Sequence, residues 1–166
     1  MGEEPRKMEF PATCHPSTLA IHAYWLDRCG ARPMPMRSDI DPTTMPRSTL
    51  RDICIVDVVP DERRYVYRLV GTGEVEVRGN DPTGKSVAEG FFGPSVEDAL
   101  ACYDQVVSTC APVLDAVPFL SNNGKYVNVE TLFLPLSDDG VTVNKILVFS
   151  YSQDLRPSAN SWPPSG

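Results

Sequence analysis

Few side chains in this sequence are of the types that carry acid–base, metal or redox chemistry. The histidines are His15 and His22, and the five cysteines are widely spaced without a C-x-x-C pair. We expect His22 to be a buried structural residue of a predicted helix, with haem ligation by it as the alternative. The spacing predicts neither a disulfide framework nor a zinc site.

The acidic residues also lack the arrangement that catalysis requires. They cluster at predicted helix starts and turns, where capping and solvation explain them. No G-x-S-x-G, H-E-x-x-H or phosphate-loop motif is present. Gly71-Thr72-Gly73 is followed by Glu76 where a dinucleotide-binding loop needs a third glycine, so we expect a sharp strand-to-helix turn there. We therefore predict that the protein is not an enzyme.

A small set of polar residues could instead bind a ligand. Arg37 lies in the Arg-Ser-Asp-Ile-Asp-Pro segment at residues 37–42, where it either fixes the connector through charged hydrogen bonds or holds an anion. The other candidates belong to predicted strands and to a long helix, and they would line a pocket if they point inward. These are Tyr67, Arg68, Tyr103 and Asn128, with Glu130 as the alternative to Asn128.

Composition limits the domain number and the partners. A chain of 166 residues with 42% hydrophobic residues fits one domain, which we place at residues 16–155 between flexible proline-rich tails at 1–15 and 156–166. The net charge of −7 argues against a nucleic-acid partner. No apolar run approaches the roughly 20 residues of a membrane span, and the charged start is unlike a signal peptide. We predict a cytoplasmic protein without a membrane partner.

The element order predicts an α+β domain. Pro16-Ser17 begins a helix that ends near Gly30, and prolines break the connector that follows. Two strands, short helices and a longer helix from Ser95 come next. Asn-Gly and Asp-Gly then separate three further apolar runs, the pattern of hairpins. Five antiparallel strands with helices on one face and a flanking N-terminal helix are expected.

Several segments resemble a bacterial family of PAS-like proteins, most of them small single-domain chains. The matching segments occur in order between about residues 24 and 147: Tyr24-Trp25-Leu26, GARPMPMRSDIDP at 30–42, IVDV at 55–58, YRLVGT at 67–72, GNDPTGK at 79–85, Tyr103, Pro112, and LPLSDDG at 134–140. The resemblance implies a five-stranded antiparallel sheet with a ligand-sized space beside it, in a class of domains used for sensing and dimerisation. The cofactor stays open, because such folds hold haem, flavin, small carboxylates or nothing.

The resemblance implies a stand-alone sensory or regulatory domain that binds a small molecule, a protein partner or both. A ligand-free dimerisation or scaffolding module is the alternative, and a haem or redox sensor is the weaker one. Because the tails carry no output motif, the chain would act through a homodimer or a separate signalling partner. We expect Trp25, on the first helix, to anchor the dimer interface.

Overall fold

The computed structural model describes residues 10–11, 14–93, 95–120 and 126–152, without the side chains of 117–120, 126–128 and 152. The helices in these residues are α1 (Pro16–Cys29), α2 (Thr72–Arg78), α3 (Val87–Gly90) and α4 (Val96–Thr109). The strands are β1 (Ile53–Val58), β2 (Tyr65–Val70), β3 (Val113–Leu120), β4 (Tyr126–Leu136) and β5 (Lys145–Ser152). Two 3-10 turns, Arg37–Asp39 and Arg47–Asp52, lie in the connector between α1 and β1.

The five strands form one antiparallel sheet in the order β2-β1-β5-β4-β3. The predicted α+β class and the five-stranded sheet are therefore confirmed. The Asp-Gly turn between β4 and β5 is longer than the predicted tight hairpin, because the Asp139 carboxylate accepts from Val141 N at 2.8 Å and Thr142 N at 2.7 Å. These bonds stabilise a separate loop between the two strands, and β5 therefore begins only at Lys145.

Side-chain alternation gives the sheet two faces, and different helices cover them. On one face, Phe133 of β4 packs edge-on against Tyr103 of α4, with ring centroids 5.0 Å apart. We call this the inner face, and α2, α3 and α4 lie on it. On the outer face, Leu132 and Leu134 of β4 are fully buried beneath α1. Both faces are therefore covered within a single chain.

Helix α1 is fixed to the outer face at two points. The Trp25 indole is 0% exposed, and its Nε1–H donates to the Pro135 carbonyl oxygen at 2.9 Å. At the first turn, the Glu130 carboxylate accepts from His15 N at 3.0 Å and from Thr18 Oγ1 at 2.6 Å. A carboxylate at this end of a helix also interacts favourably with its dipole. Trp25 thus holds α1 to the sheet and has no exposed area with which to contact a second copy.

The start of the domain differs from the predicted boundary. His15 caps α1, because its Nδ1 accepts from the Ser17 backbone N–H at 3.1 Å. The His15 ring also stacks on Tyr151 of β5 with centroids 3.7 Å apart. Phe10 packs edge-on against His22 at 4.9 Å. The described residues of the predicted tail therefore contact the domain, whereas 1–9, 12–13 and 153–166 lie outside the described residues.

Within the described residues, no helix has both the length and the apolar composition that spanning a membrane requires.

Gly71 and Gly73 form the tight turn from β2 into α2, as predicted, but the reason at Gly71 is close contact. Its φ of −64° is ordinary for any residue. A Cβ on Gly71 would lie 2.4 Å from the Arg51 carbonyl oxygen, and one on Gly73 would lie 2.6 Å from Asp52 Oδ1. Only glycine lets the start of α2 approach the preceding 3-10 turn so closely.

We therefore expect Gly71→Ala to lower the free energy of unfolding by roughly 2 kcal/mol, since the added methyl group must push backbone apart. Urea denaturation followed by circular dichroism measures this loss. Thr72→Ala, at the exposed neighbouring position, is the matched control and should stay within about 0.5 kcal/mol of the wild type. Equal stability of the two variants would contradict the close-contact explanation.

Candidate ligand-binding site

Aromatic rings fill much of the space between the inner face and the helices. Tyr65 and Tyr103 stack with centroids 4.9 Å apart, and Tyr103 also meets Phe133. Tyr67 lies beside them on β2, because residues two apart on a strand share a face. All four rings are buried. Tyr67 and Tyr103 thus point inward, as the sequence predicts for ligand-binding candidates.

A buried arginine, Arg78, lies against this aromatic layer. The Arg78 side chain is only 7% exposed, and its Cζ lies 4.9 Å from the centre of the Tyr67 ring. Nη1 donates to the Gly90 carbonyl oxygen at 2.6 Å, and Nη2 lies 3.5 Å from the Tyr67 hydroxyl. Nε is buried and has no hydrogen-bond partner among the described residues. The guanidinium is therefore short of acceptors.

Glu74 is the acidic group nearest to that guanidinium. Its Oε2 lies 3.6 Å from Arg78 Nη2, beyond normal hydrogen-bond distance, and its side chain is 16% exposed. Burial raises the pKa of Glu74, nearby Asp52 raises it further, and Arg78 only partly offsets them, so that the pKa is about 7. Near neutral pH Glu74 is therefore charged in only part of the molecules.

Helix α2 brings the two groups together because Glu74 and Arg78 are four residues apart and share a helix face. The helix ends at Gly79, whose φ of +79° favours glycine. Gly90, at the end of α3, has no side chain, and a Cβ there would lie 3.2 Å from the Tyr67 ring. This close approach of α3 to β2 is what brings the Gly90 carbonyl within reach of Arg78.

Cys54, the cysteine beside Arg78, is a neutral thiol. Burial raises the pKa of Cys54 to about 12, and its side chain faces the Arg78 region from β1. A thiol with so high a pKa is a weak nucleophile, so Cys54 contributes packing at neutral pH. The structure thus gives no chemical support to a redox role at this cysteine.

His22 lies on the other side of the sheet. It belongs to α1, its ring packs against Phe10 and Trp25, and its Nε2 is buried without a partner among the described residues. Burial lowers the pKa of His22, which keeps the imidazole neutral. Because α1 covers the outer face, His22 does not face the space beside Tyr67, so it is the buried residue that we expected and the alternative of haem ligation does not apply at that site.

The remaining predicted ligand residues do not join the inner site. Arg37 Nη1 donates to the Ile40 carbonyl oxygen at 3.0 Å, which fits the structural alternative of fixing the connector. Arg68 is a ligand candidate only if it points inward, but its Nε donates to Asp57 Oδ2 at 2.7 Å on the outer face, so this condition is not met. Asn128 pairs with Pro118 through the backbone, and its side chain lies outside the described part of the chain.

Sequence reasoning missed Arg78 and Glu74. A charged pair at i and i+4 in a short surface helix normally indicates a solvated face. The available signal was the flanking pair of glycine turns, 71–73 and 79, which leaves α2 too short to bury a conventional apolar stripe.

A separate cleft of about 290 Å³ opens between α4 and the β1–β2 turn. Apolar lining comes from Val58, Val59 and Val107. Its charged groups, Arg64 and Asp104, already form an ion pair with each other. Unlike the Arg78 region, this cleft holds no charged group that needs a further partner.

The chain matches one protein-family model and is similar to several solved structures. A family model described as a PAS domain matches residues 13–149. A LOV domain from a blue-light activated histidine kinase of Erythrobacter litoralis EL346 is 12% identical, with a TM-score of 0.46 over 61% of this chain and 94% of that one. The Rhodobacter sphaeroides LOV protein is 13% identical, with a TM-score of 0.48 over 66% of this chain and 62% of that one. A fungal LOV domain photoreceptor is 18% identical, with a TM-score of 0.47 over 83% and 94%. No curated protein sequence matches the chain. Because the family match extends over most of its length, the chain belongs to the PAS domain family.

Proposed function

We propose that this protein is a sensory domain that binds a small molecule between the inner face of the sheet and helices α2 to α4. Ligand binding would change the contacts of the domain with a second copy in a homodimer, or with a separate signalling protein. Membership of a family of typically sensory domains supports the class of function. The observation that supports ligand binding is the buried guanidinium of Arg78, whose hydrogen-bond donors are not all paired.

Burial of an ion without full pairing is costly, by several kcal/mol even after the protein relaxes. Arg78 has one strong acceptor, the neutral Gly90 carbonyl, and two contacts at 3.5 and 3.6 Å with Tyr67 and Glu74, and it also interacts with the neutral Cys54 thiol, a weak acceptor. A protein that retains such a group in its interior gains most when a ligand supplies the missing acceptor. The site is therefore better suited to a bound state than to a permanently empty one.

One observation favours the alternative, a ligand-free dimerisation or scaffolding module. The stacked rings of Tyr65, Tyr103 and Phe133 already occupy part of the interior, as side chains do in a solid core. In that case Arg78 would serve only to tie α2 to α3 through Gly90.

A thermal-shift screen of the purified protein against a metabolite library separates the two functions. We expect at least one compound to raise the melting temperature, since a ligand at 100 times its Kd adds about 2.7 kcal/mol of stability. The shift should disappear in Arg78→Gln and persist in Arg51→Gln, a control at an exposed arginine of the neighbouring 3-10 turn that pairs with Glu76.

If no compound raises the melting temperature, the sensory proposal fails and the ligand-free module stands. An absorption spectrum of the same preparation identifies a haem or flavin retained during purification, which would supply the ligand directly. Sedimentation velocity with and without the active compound then tests whether the output is a change in self-association.

A further inference from the structure

We infer that the inner site receives a compact anionic group, a carboxylate or a phosphate, which replaces Glu74 as the partner of the Arg78 guanidinium while Glu74 takes up a proton. This inference rests on the proposed function and names the chemistry of its ligand. Binding then transfers one anionic charge and one proton into the site together, so that the net charge of the interior does not change.

The donor geometry of Arg78 selects an anion. Guanidinium groups recognise carboxylates and phosphates through two parallel N–H bonds from one edge. Nε belongs to such an edge, it is buried, and it has no acceptor among the described residues. Elsewhere on the guanidinium, Nη1 donates to the Gly90 carbonyl oxygen at 2.6 Å, and this bond fixes the plane of the group. A neutral ligand could accept one bond here but would leave the buried charge unbalanced.

The surroundings of Glu74 explain why a proton must accompany the anion. Arg78 faces it from its own helix, and Asp52 lies nearby in the 3-10 turn before β1. Cys54 of β1, Tyr67 of β2 and Tyr103 of α4 surround the same region and remain neutral, because burial raises the pKa of each of them. A second anion beside an ionised Glu74 would therefore meet strong repulsion, which the single positive charge of Arg78 offsets only in part.

Glu74 is suited to accept that proton at little cost. With a pKa of about 7 in the unliganded protein, it is already protonated in many molecules at neutral pH. Its carboxylate contacts Arg78 only at 3.6 Å, so losing this contact gives up less than a full charged hydrogen bond. An anion that accepts two N–H bonds from Arg78 therefore binds the guanidinium more strongly than the Glu74 carboxylate does at 3.6 Å.

Isothermal titration calorimetry with sodium propionate tests the inference, with inorganic phosphate as the second probe and neutral propionamide as the control. Propionate is suitable for a pH series because a simple carboxylic acid stays ionised above about pH 6. We expect its affinity to fall about tenfold per pH unit above pH 7, because one proton is bound with each anion. Heats in buffers of different ionisation enthalpy should report uptake of close to one proton at pH 8.

Two variants separate the roles of the two residues. Glu74→Gln keeps the shape but removes the titration, so propionate should bind with no pH dependence and at least as tightly as to the wild type at pH 8. Arg78→Lys keeps a charge but loses the fork of donors, and we expect its affinity to fall by at least tenfold. Arg51→Gln again serves as the control and should bind like the wild type.

Equal binding of propionamide and propionate would overturn the inference, as would a pH-independent affinity of the wild type. A tighter affinity for phosphate than for propionate would assign the ligand's anionic group to a phosphate, and the reverse to a carboxylate. If neither anion binds but an uncharged library compound raises the melting temperature, the inference fails and the sensory function stands. If no compound binds at all, both fail.

Discussion

Trp25→Ala should lower the free energy of unfolding by about 3–5 kcal/mol, the range for removing a large aromatic side chain from a core. The indole is fully buried between α1 and the outer face of the sheet, and its N–H bonds to the Pro135 carbonyl oxygen. The substitution therefore leaves a cavity and an unpaired carbonyl at the centre of the contact that holds α1. Guanidinium chloride denaturation measures the loss.

Two further variants identify its cause. Trp25→Phe retains most of the apolar area but loses the bond to Pro135, so we expect a smaller loss of about 1–2 kcal/mol. Leu19→Ala lies on the same helix at a position that is 42% exposed, and it should cost less than 1 kcal/mol, by the general behaviour of surface substitutions. A Trp25→Ala protein that keeps its stability but changes its sedimentation coefficient would instead restore Trp25 as a dimer contact.

Asp57→Asn should lower the free energy of unfolding by about 3 kcal/mol at pH 7, because two charged hydrogen bonds are lost together. Asp57 is buried on the outer face of β1, where it accepts from Lys145 Nζ at 2.6 Å and from Arg68 Nε at 2.7 Å. Asparagine fits the same space but cannot balance the two cations.

The loss should depend on pH in a defined direction. Burial would raise the pKa of Asp57, but Lys145 and Arg68 more than offset burial and hold the pKa below its usual value. A carboxyl group of this kind stabilises the fold fully above its unfolded pKa of about 3.9, and the contribution disappears as the pH falls through the lower folded value. The difference between wild type and Asp57→Asn should therefore be constant above about pH 5 and shrink below pH 4.

Asp61→Asn is the matched control for this series. Asp61 pairs with Arg63 in the exposed β1–β2 turn, where both side chains are roughly half exposed. Water and salt screen exposed ion pairs, so the control should change stability little. If both variants lost the same free energy, the burial of Asp57 would not be what makes its ion pairs strong.

Local signals in the sequence predicted most of the elements because each boundary has a short-range cause. Pro16 and Gly30 delimit α1, and Gly30 has a φ of +59°. Ser86 and Ser95 cap α3 and α4 through bonds to the backbone N–H three residues on, at 3.2 Å in both cases. Such caps depend on neighbouring residues alone, so they can be read without knowing the fold.

The candidate site was harder to predict because its causes are long-range. Tyr67 and Tyr103 point inward as alternation and helical periodicity indicate, and the same alternation turns Arg68, the next residue after Tyr67, outward to Asp57. Arg78 belongs to a short helix in which periodicity is not informative. Its burial depends on Gly90, which lets α3 approach Tyr67, and no local pattern predicts such a contact.

The order of the strands also has a consequence for how the protein is made. The Trp25–Pro135 hydrogen bond joins residues 110 positions apart, and β1 lies in the sheet between β2 and the last strand, β5. During synthesis the apolar sides of α1 and β1 therefore leave the ribosome long before the residues that cover them. Closing so long a stretch of chain makes folding slow, since distant contacts must form before they can stabilise anything. Until β5 is complete, the nascent chain exposes surfaces that attract other chains, and we expect it to rely on molecular chaperones over that interval.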